Sequence, residues 1–181
     1  MLKSRLCIAF FAFAVGCAPA QKPLTDYVNP MLGTATLWDS VDLGFKPTKR
    51  TWGAEVFPGS SLPNAMVQVS PVTKFHSGAG YQYEDSVIYG FTHTNKGHWN
   101  LCHIPLLPVT GTPTPGDYCS PFSHERESAA PGYYQVFLDR YGVDAQLSST
   151  LRCAFHKYTY PAGAAASLLA DLQRSNEHVR A

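Results

Sequence analysis

The chain has 181 residues, enough for one domain or part of a larger one, and its 45% hydrophobic and 15% charged content excludes a disordered chain. A net charge of +1, with Lys and Arg scattered and no basic stripe, gives no electrostatic footprint for nucleic acid. The 14 Gly and 14 Pro, together with 10 Tyr and 10 Phe, favour an all-β fold with many turns.

Residues 1–20 read as a signal segment. Lys3 and Arg5 form its charged start, and residues 6–15 make an apolar run too short to span a bilayer as a helix. Two endings compete. Ala18-Pro19-Ala20 fits a conventional signal-peptidase site. Ala14-Val15-Gly16-Cys17 resembles a bacterial lipobox, in which Cys17 becomes the lipidated first residue of the mature chain; its place where the apolar run stops favours the lipoprotein. Either ending predicts export, to the bacterial periplasm, the outer membrane or the cell surface, with membrane contact only through a lipid anchor. In an oxidising compartment Cys102, Cys119 and Cys153 are an odd set, so at most one pair closes within the chain. A Cys102–Cys119 bridge and three buried thiols both remain open.

Residues 21–181 read as one domain. Residues 21–30 form a tether, residues 28–34 a short strand entering a turn, and residues 36–54 a loop. Val67 and Val69 alternate with Met66 and Gln68, the period of a strand with one buried face, and Pro71 is expected to end it. Residues 81–83 and 87–91 read as two more short strands. Pro105 and Pro108 demote residues 104–110 to an edge or bulged strand. A Pro- and Gly-rich loop spans 111–132. Residues 133–138 are β-rich, Arg140-Tyr141-Gly142 turns, and residues 143–152 alternate, with Val143, Ala145, Leu147, Ser149 and Leu151 on one face. Residues 154–160 continue as a strand. The Ala content of residues 164–172 suits a helix, but their length and place after three strands favour a buried strand. The pattern predicts antiparallel sheets, most simply a β-sandwich. The run ends at Ala181 without a turn or cap, which reads as an incomplete sandwich.

The chemistry-bearing side chains cluster in turns. Trp99 suits stacking on a pyranose face, and His98 and Asn100 suit ring hydroxyls. His93, Phe75 and His76 complete the candidate sugar-contact set. For His98 and Trp99 a contact role and a core role weigh evenly. For His93 a buried, hydrogen-bonded strand residue is the favoured reading, and for Phe75 and His76 a plain loop. Zinc on His93, His98, His103 and Cys102 lacks both His-Glu-x-x-His and paired Cys-x-x-Cys spacing. An inverting glycosidase needs two carboxyl groups roughly 6.5–9.5 Å apart. Glu84 and Asp85 are neighbours that leave opposite faces of a strand, and Glu125 and Glu127 sit in a polar loop that favours solvation or ion pairing. No catalytic residue is assigned.

The ordered matches point further. Tyr27-Val28-Asn29-Pro30-Met31-Leu32-Gly33-Thr34 comes first, then Phe57-Pro58-Gly59 with Pro63, Met66, Val67, Gln68, Ser70 and Pro71. Gly80-Tyr81-Gln82-Tyr83, Asp85 and Gly90-Phe91-Thr92-His93-Thr94 follow. Ser123-His124-Glu125, Pro131-Gly132-Tyr133-Tyr134, Val136, Asp139, Tyr141-Gly142-Val143, Leu147, Arg152, His156 and Tyr158 close the series. In these residues the chain resembles the N-terminal domain of glycoside hydrolase family 92, the calcium-dependent exo-acting α-mannosidases. The resemblance implies a glycan substrate, terminal α-linked mannose, and a C-terminal helical barrel that carries the acid and base carboxylates and most calcium ligands. It implies that this chain alone is inactive and binds no calcium by itself. It departs from the family at Asn95-Lys96-Gly97-His98-Trp99-Asn100-Leu101-Cys102, where the family has a Gly-Thr-Gly turn and an Asp, and at Val72, where an acidic residue is common. The alternative is a free-standing carbohydrate-binding lipoprotein without catalysis, or an exported β-sandwich without a ligand.

Overall fold

A computed structural model of the chain describes residues 21–36, 55–96, 99–100, 102–114 and 116–172, with the backbone alone at Lys96, Trp99 and Asn100. Cys17, the signal segment and most of the 36–54 loop lie outside the described residues. Within them the chain is all-β and antiparallel. Helical geometry is limited to two 3-10 turns, Leu24–Tyr27 and His124–Arg126.

Two sheets face each other. One has the order β1 (Ser60–Ser61), β2 (Gln68–Val72), β4 (Gly90–Thr92), β7 (Leu106–Thr110) and β13 (Ala166–Ala170). The other runs β12 (Ala154–Thr159), β11 (Val143–Ser149), β10 (Tyr133–Leu138) and β9 (Glu127–Ala130). Two small pairs flank them: β3 (Val87–Ile88) with β8 (Ser120–Pro121), and β5 (Asn95–Lys96) with β6 (Trp99–Asn100).

The core follows from the period-2 pattern. Tyr134, Val136 and Leu138 of β10 are buried, as are Val143, Ala145 and Leu147 of β11. Register sets them opposite one another as Tyr134–Leu147, Val136–Ala145 and Leu138–Val143. These pairs pack with Val69, Phe91, Leu107 and Val109 of the facing sheet. Each fully buried aliphatic or aromatic side chain contributes about 1.5–3 kcal/mol. One polar contact also spans the layers: the hydroxyls of Ser60 and Ser149 lie 2.7 Å apart.

The structure departs from the sequence expectations in several places. Residues 28–34 form no strand, because the Asn29 side chain accepts the Met31 N–H at 3.0 Å and a turn closes through Gly33 at φ +87°. Residues 81–83 are a loop that donates the Tyr83 N–H to the Thr34 carbonyl at 3.0 Å. β2 runs through Pro71 to Val72. β7 is an interior strand rather than an edge. It pairs with β4 only at Phe91–Leu106, so Pro108 lies beyond β4 and no N–H is required of it on that side. The 111–132 loop contains β8, a 3-10 turn and β9. β13 is a strand, as favoured, but an exposed one: Leu168 is 54% exposed at the sheet edge. Leu151 also faces solvent, because β11 stops at Ser149 and the chain turns with the Thr150 N–H on the Cys153 carbonyl. Among the described residues Cys102, Cys119 and Cys153 form no disulfide, and of the three only Cys102 is buried.

Gly59, in the Phe-Pro-Gly segment, has a steric reason to be glycine. An added Cβ would lie 2.5 Å from the Ser70 Cα and collide with the Val69 carbonyl of β2. Backbone cannot move aside as a side chain does, so Gly59→Ala should cost about 1–3 kcal/mol or more. Chemical denaturation would show it as a lowered midpoint. An unchanged midpoint would mean that β1 is not held this close to β2.

Candidate functional site

The inner face of β12 continues the alternation of β11. Ala154, His156 and Tyr158 turn inward, while Phe155, Lys157 and Thr159 turn out. Register places His156 beside Leu147 and Tyr158 beside Ala145. Because β12 is an edge strand, its inward polar groups lie at the rim of the core, against the end of β4. There His156 Nε2 lies 2.9 Å from His93 Nε2, and His156 Nδ1 lies 2.7 Å from the Tyr158 hydroxyl. Phe91 closes the cluster, with ring centroids 6.5 Å from His156 and 6.3 Å from Tyr158.

Burial governs the charge state of this seam. Loss of solvent, and secondarily His93, pushes His156 from its ordinary 6.5 to about 4. Desolvation lowers His93 as well, and raises the Tyr158 phenol well above its ordinary value. At neutral pH the three groups are therefore an uncharged hydrogen-bonding chain.

His93 is thus a hydrogen-bonded residue at a strand end, and it also stands two residues before the hairpin of β5 and β6. Register Asn95–Asn100 and Lys96–Trp99 closes that hairpin. His98 lies outside the described residues. Both legs are tied down. Asn95, 4% exposed, donates from Nδ2 to the Gln68 carbonyl at 3.1 Å, and the His103 N–H donates to the Thr94 hydroxyl at 3.2 Å. Positive φ at Cys102 and at the β-branched Ile104 (43° and 47°) bends the return path into β7. Phe75 and His76 are elsewhere. They follow the far end of β2, where Phe75 packs on Tyr89 with ring centroids 5.2 Å apart and His76 is exposed at φ +57°. The structure brings His93, Trp99 and Asn100 to one end of the sheet and leaves Phe75 and His76 at the other.

Sequence reasoning missed a second polar cluster. The Glu127 side chain is fully buried, not solvated. It accepts hydrogen bonds from the Tyr134 hydroxyl at 2.5 Å and the Tyr81 hydroxyl at 3.0 Å, and its Oε2 lies 2.5 Å from His124 Nδ1. His124 stacks on Tyr83 at 4.0 Å, and its Nε2 lies 2.7 Å from the Tyr83 carbonyl oxygen. Burial first, then Glu127, raises the Tyr134 and Tyr81 phenols, which stay protonated as donors. A carboxylate so fully engaged joins the 81–83 loop to β9 and β10 and is not available as a catalytic acid. The available signal was alternation: Glu127 and Ala129 share a face of β9. Among the described residues no group of three His, Cys, Asp or Glu side chains converges to hold a metal ion.

These features define an antiparallel β-sandwich with a hydrogen-bonded aromatic and imidazole seam at one end. Residues 27–181 match the glycosyl hydrolase family 92 N-terminal domain, and the chain belongs to that family. Among solved structures it is similar to a family GH92 alpha-mannosidase from Bacteroides thetaiotaomicron, with 31% identity over 85% of this chain and 21% of that one, at a TM-score of 0.71. The same mannosidase in complex with mannoimidazole gives 31% identity over 85% and 20%, at 0.70. A family GH92 inverting mannosidase of the same organism gives 27% identity over 84% and 20%, at 0.66. The chain spans about a fifth of the length of these relatives. No curated protein matches it.

Two outcomes test the polar clusters. His156 binds its proton less readily folded than unfolded, so its contribution to stability is complete above pH 6.5 and is lost as pH falls from there toward about 4. The thermal midpoint should fall across that window, and His156→Gln should flatten the fall; equal slopes in both proteins would contradict the assignment. Tyr134→Phe removes one donor from buried Glu127 and should cost about 1–3 kcal/mol in denaturant unfolding. A neutral effect would mean that water replaces the hydroxyl.

Proposed function

We propose that the chain is the N-terminal domain of an exported glycoside hydrolase that removes terminal α-linked mannose from glycans when joined to a C-terminal helical-barrel domain. The observation that carries this reading is the family match across residues 27–181, supported by two mannosidases of which the chain matches about a fifth. In it, the acid and base carboxylates and the calcium belong to the helical domain. The sandwich contributes a wall to the cleft, and His98, Trp99 and Asn100 are the proposed sugar contacts. That division of labour agrees with the local chemistry, since the buried carboxylate of Glu127 is occupied by Tyr81, Tyr134 and His124. Export, with Cys17 as a lipid anchor or cleavage after Ala20, completes the reading. Phe75 and His76, beyond the opposite end of β2, stand apart from these contacts.

The test uses hydrolysis of an aryl α-mannoside. The chain alone should give no turnover, and the chain continuous with a helical domain of this family should give calcium-dependent turnover that a chelator abolishes. Turnover by the isolated chain would refute the proposal. In cells, Cys17→Ser should abolish labelling by a palmitate analogue if the lipid anchor is right, and persistent labelling would remove it.

A further inference from the structure

The seam of Tyr158, His156 and His93 holds more than packing, because its hydrogen bonds have a direction. A phenol buried in the core rim needs an acceptor for its O–H, and among the described residues the Tyr158 hydroxyl meets only His156 Nδ1, at 2.7 Å. The Tyr158 O–H therefore donates to Nδ1, which must carry a lone pair. A neutral imidazole with a bare Nδ1 carries its proton on Nε2. His156 Nε2–H then points at His93 Nε2, 2.9 Å away, and that atom must accept. With Nε2 accepting, neutral His93 carries its proton on Nδ1. The opposite direction would leave the Tyr158 O–H without an acceptor. Burial keeps both rings uncharged at neutral pH, so neither can satisfy both neighbours as an imidazolium.

We infer that Tyr158 and His156 are positioning residues that hold His93 in its Nδ1–H tautomer, so that His93 presents one N–H donor to an acceptor oxygen of a neutral, hydroxyl-bearing ligand. The sugar identity of that ligand rests on the function proposed above. His93 Nδ1 meets no hydrogen-bond partner among the described residues, and His93 is half-buried, so its donor is open to a ligand and shielded from bulk exchange. Its place two residues before the hairpin of β5 and β6 directs it to the end of the sheet that carries Trp99 and Asn100. A single fixed donor selects ligand oxygens by position rather than by charge. The two sheets cooperate in it: β4 supplies His93, and the edge strand of the other sheet decides which nitrogen is protonated.

The tautomer is directly observable in a two-bond proton–nitrogen correlation spectrum of the uniformly nitrogen-15-labelled chain, with His93→Gln used for assignment. The expected result is the Nδ1–H form for His93, the minor form of a free histidine side chain in water. Tyr158→Phe removes the hydroxyl that starts the chain of bonds and should give a mixture of both His93 forms. His156→Leu should return His93 to the Nε2–H form. Thermal melts of each variant confirm that it remains folded. A parent spectrum in the Nε2–H form, or a Tyr158→Phe spectrum identical to the parent, overturns the inference. Titration with methyl α-mannoside should then shift the His93 Nδ1 signal. If His93 is in the Nδ1–H form and the mannoside moves nothing, the orienting relay stands and the sugar reading is what fails.

Discussion

Slipping β10 against β11 by one residue would turn Tyr134, Val136 and Leu138 to solvent and bring Gln135 and Phe137 into the core. The six-residue register between these strands is the constraint on which the remaining structure depends. It aligns three buried pairs and, carried one strand further, sets the row Tyr134–Leu147–His156 beside the row Val136–Ala145–Tyr158. The apolar centre of those rows packs on β2, β4 and β7. Their ends carry hydroxyls and an imidazole, which is why polar chemistry appears at the sandwich rim and not at its middle.

Both polar clusters follow from that geometry. At the β12 end, His156 and Tyr158 turn inward because their neighbours on the same face do, and His93 of the other sheet meets them. At the β9 end, the Tyr134 side chain reaches Glu127, and Tyr81 and His124 complete its partners. A buried carboxylate is tolerable only when its lone pairs are satisfied, and here three side chains do so. The two clusters have different consequences. Glu127 is fully enclosed and acts as a tie, whereas His93 keeps one nitrogen open at the end of the sheet where the hairpin emerges.

The chain is a family 92 N-terminal domain that spans about a fifth of the length of its mannosidase relatives. Its sandwich is a firm scaffold. Its interior is closed by paired aromatics, its hairpin is held at both legs, and its edge strand β13 stays exposed. Much of this was readable in order: the period-2 runs located β2, β10 and β11, position after them located β12 and β13, and the turn residues located most breaks. What misled the reading was local. Pro71 looks like a strand terminator and Pro108 like the mark of an edge strand, yet each occurs in a paired interior strand, and Pro108 lies past the end of β4. Asn29 and Pro30 start a turn through a side-chain bond that an apolar count does not register.

The sequence by itself determined the fold class, the inner face of β10 and β11, the family, and the concentration of His, Trp and Asn around residues 93–100, because alternation and motif order are properties of the chain read along its length. Only the tertiary structure decided that Glu127 is buried, that His93 meets His156, and that Phe75 and His76 stand apart from the hairpin. Those facts depend on which strands become neighbours. Residues 63 positions apart, such as His93 and His156, share a hydrogen bond only after two sheets have packed, and no spacing along the chain encodes it.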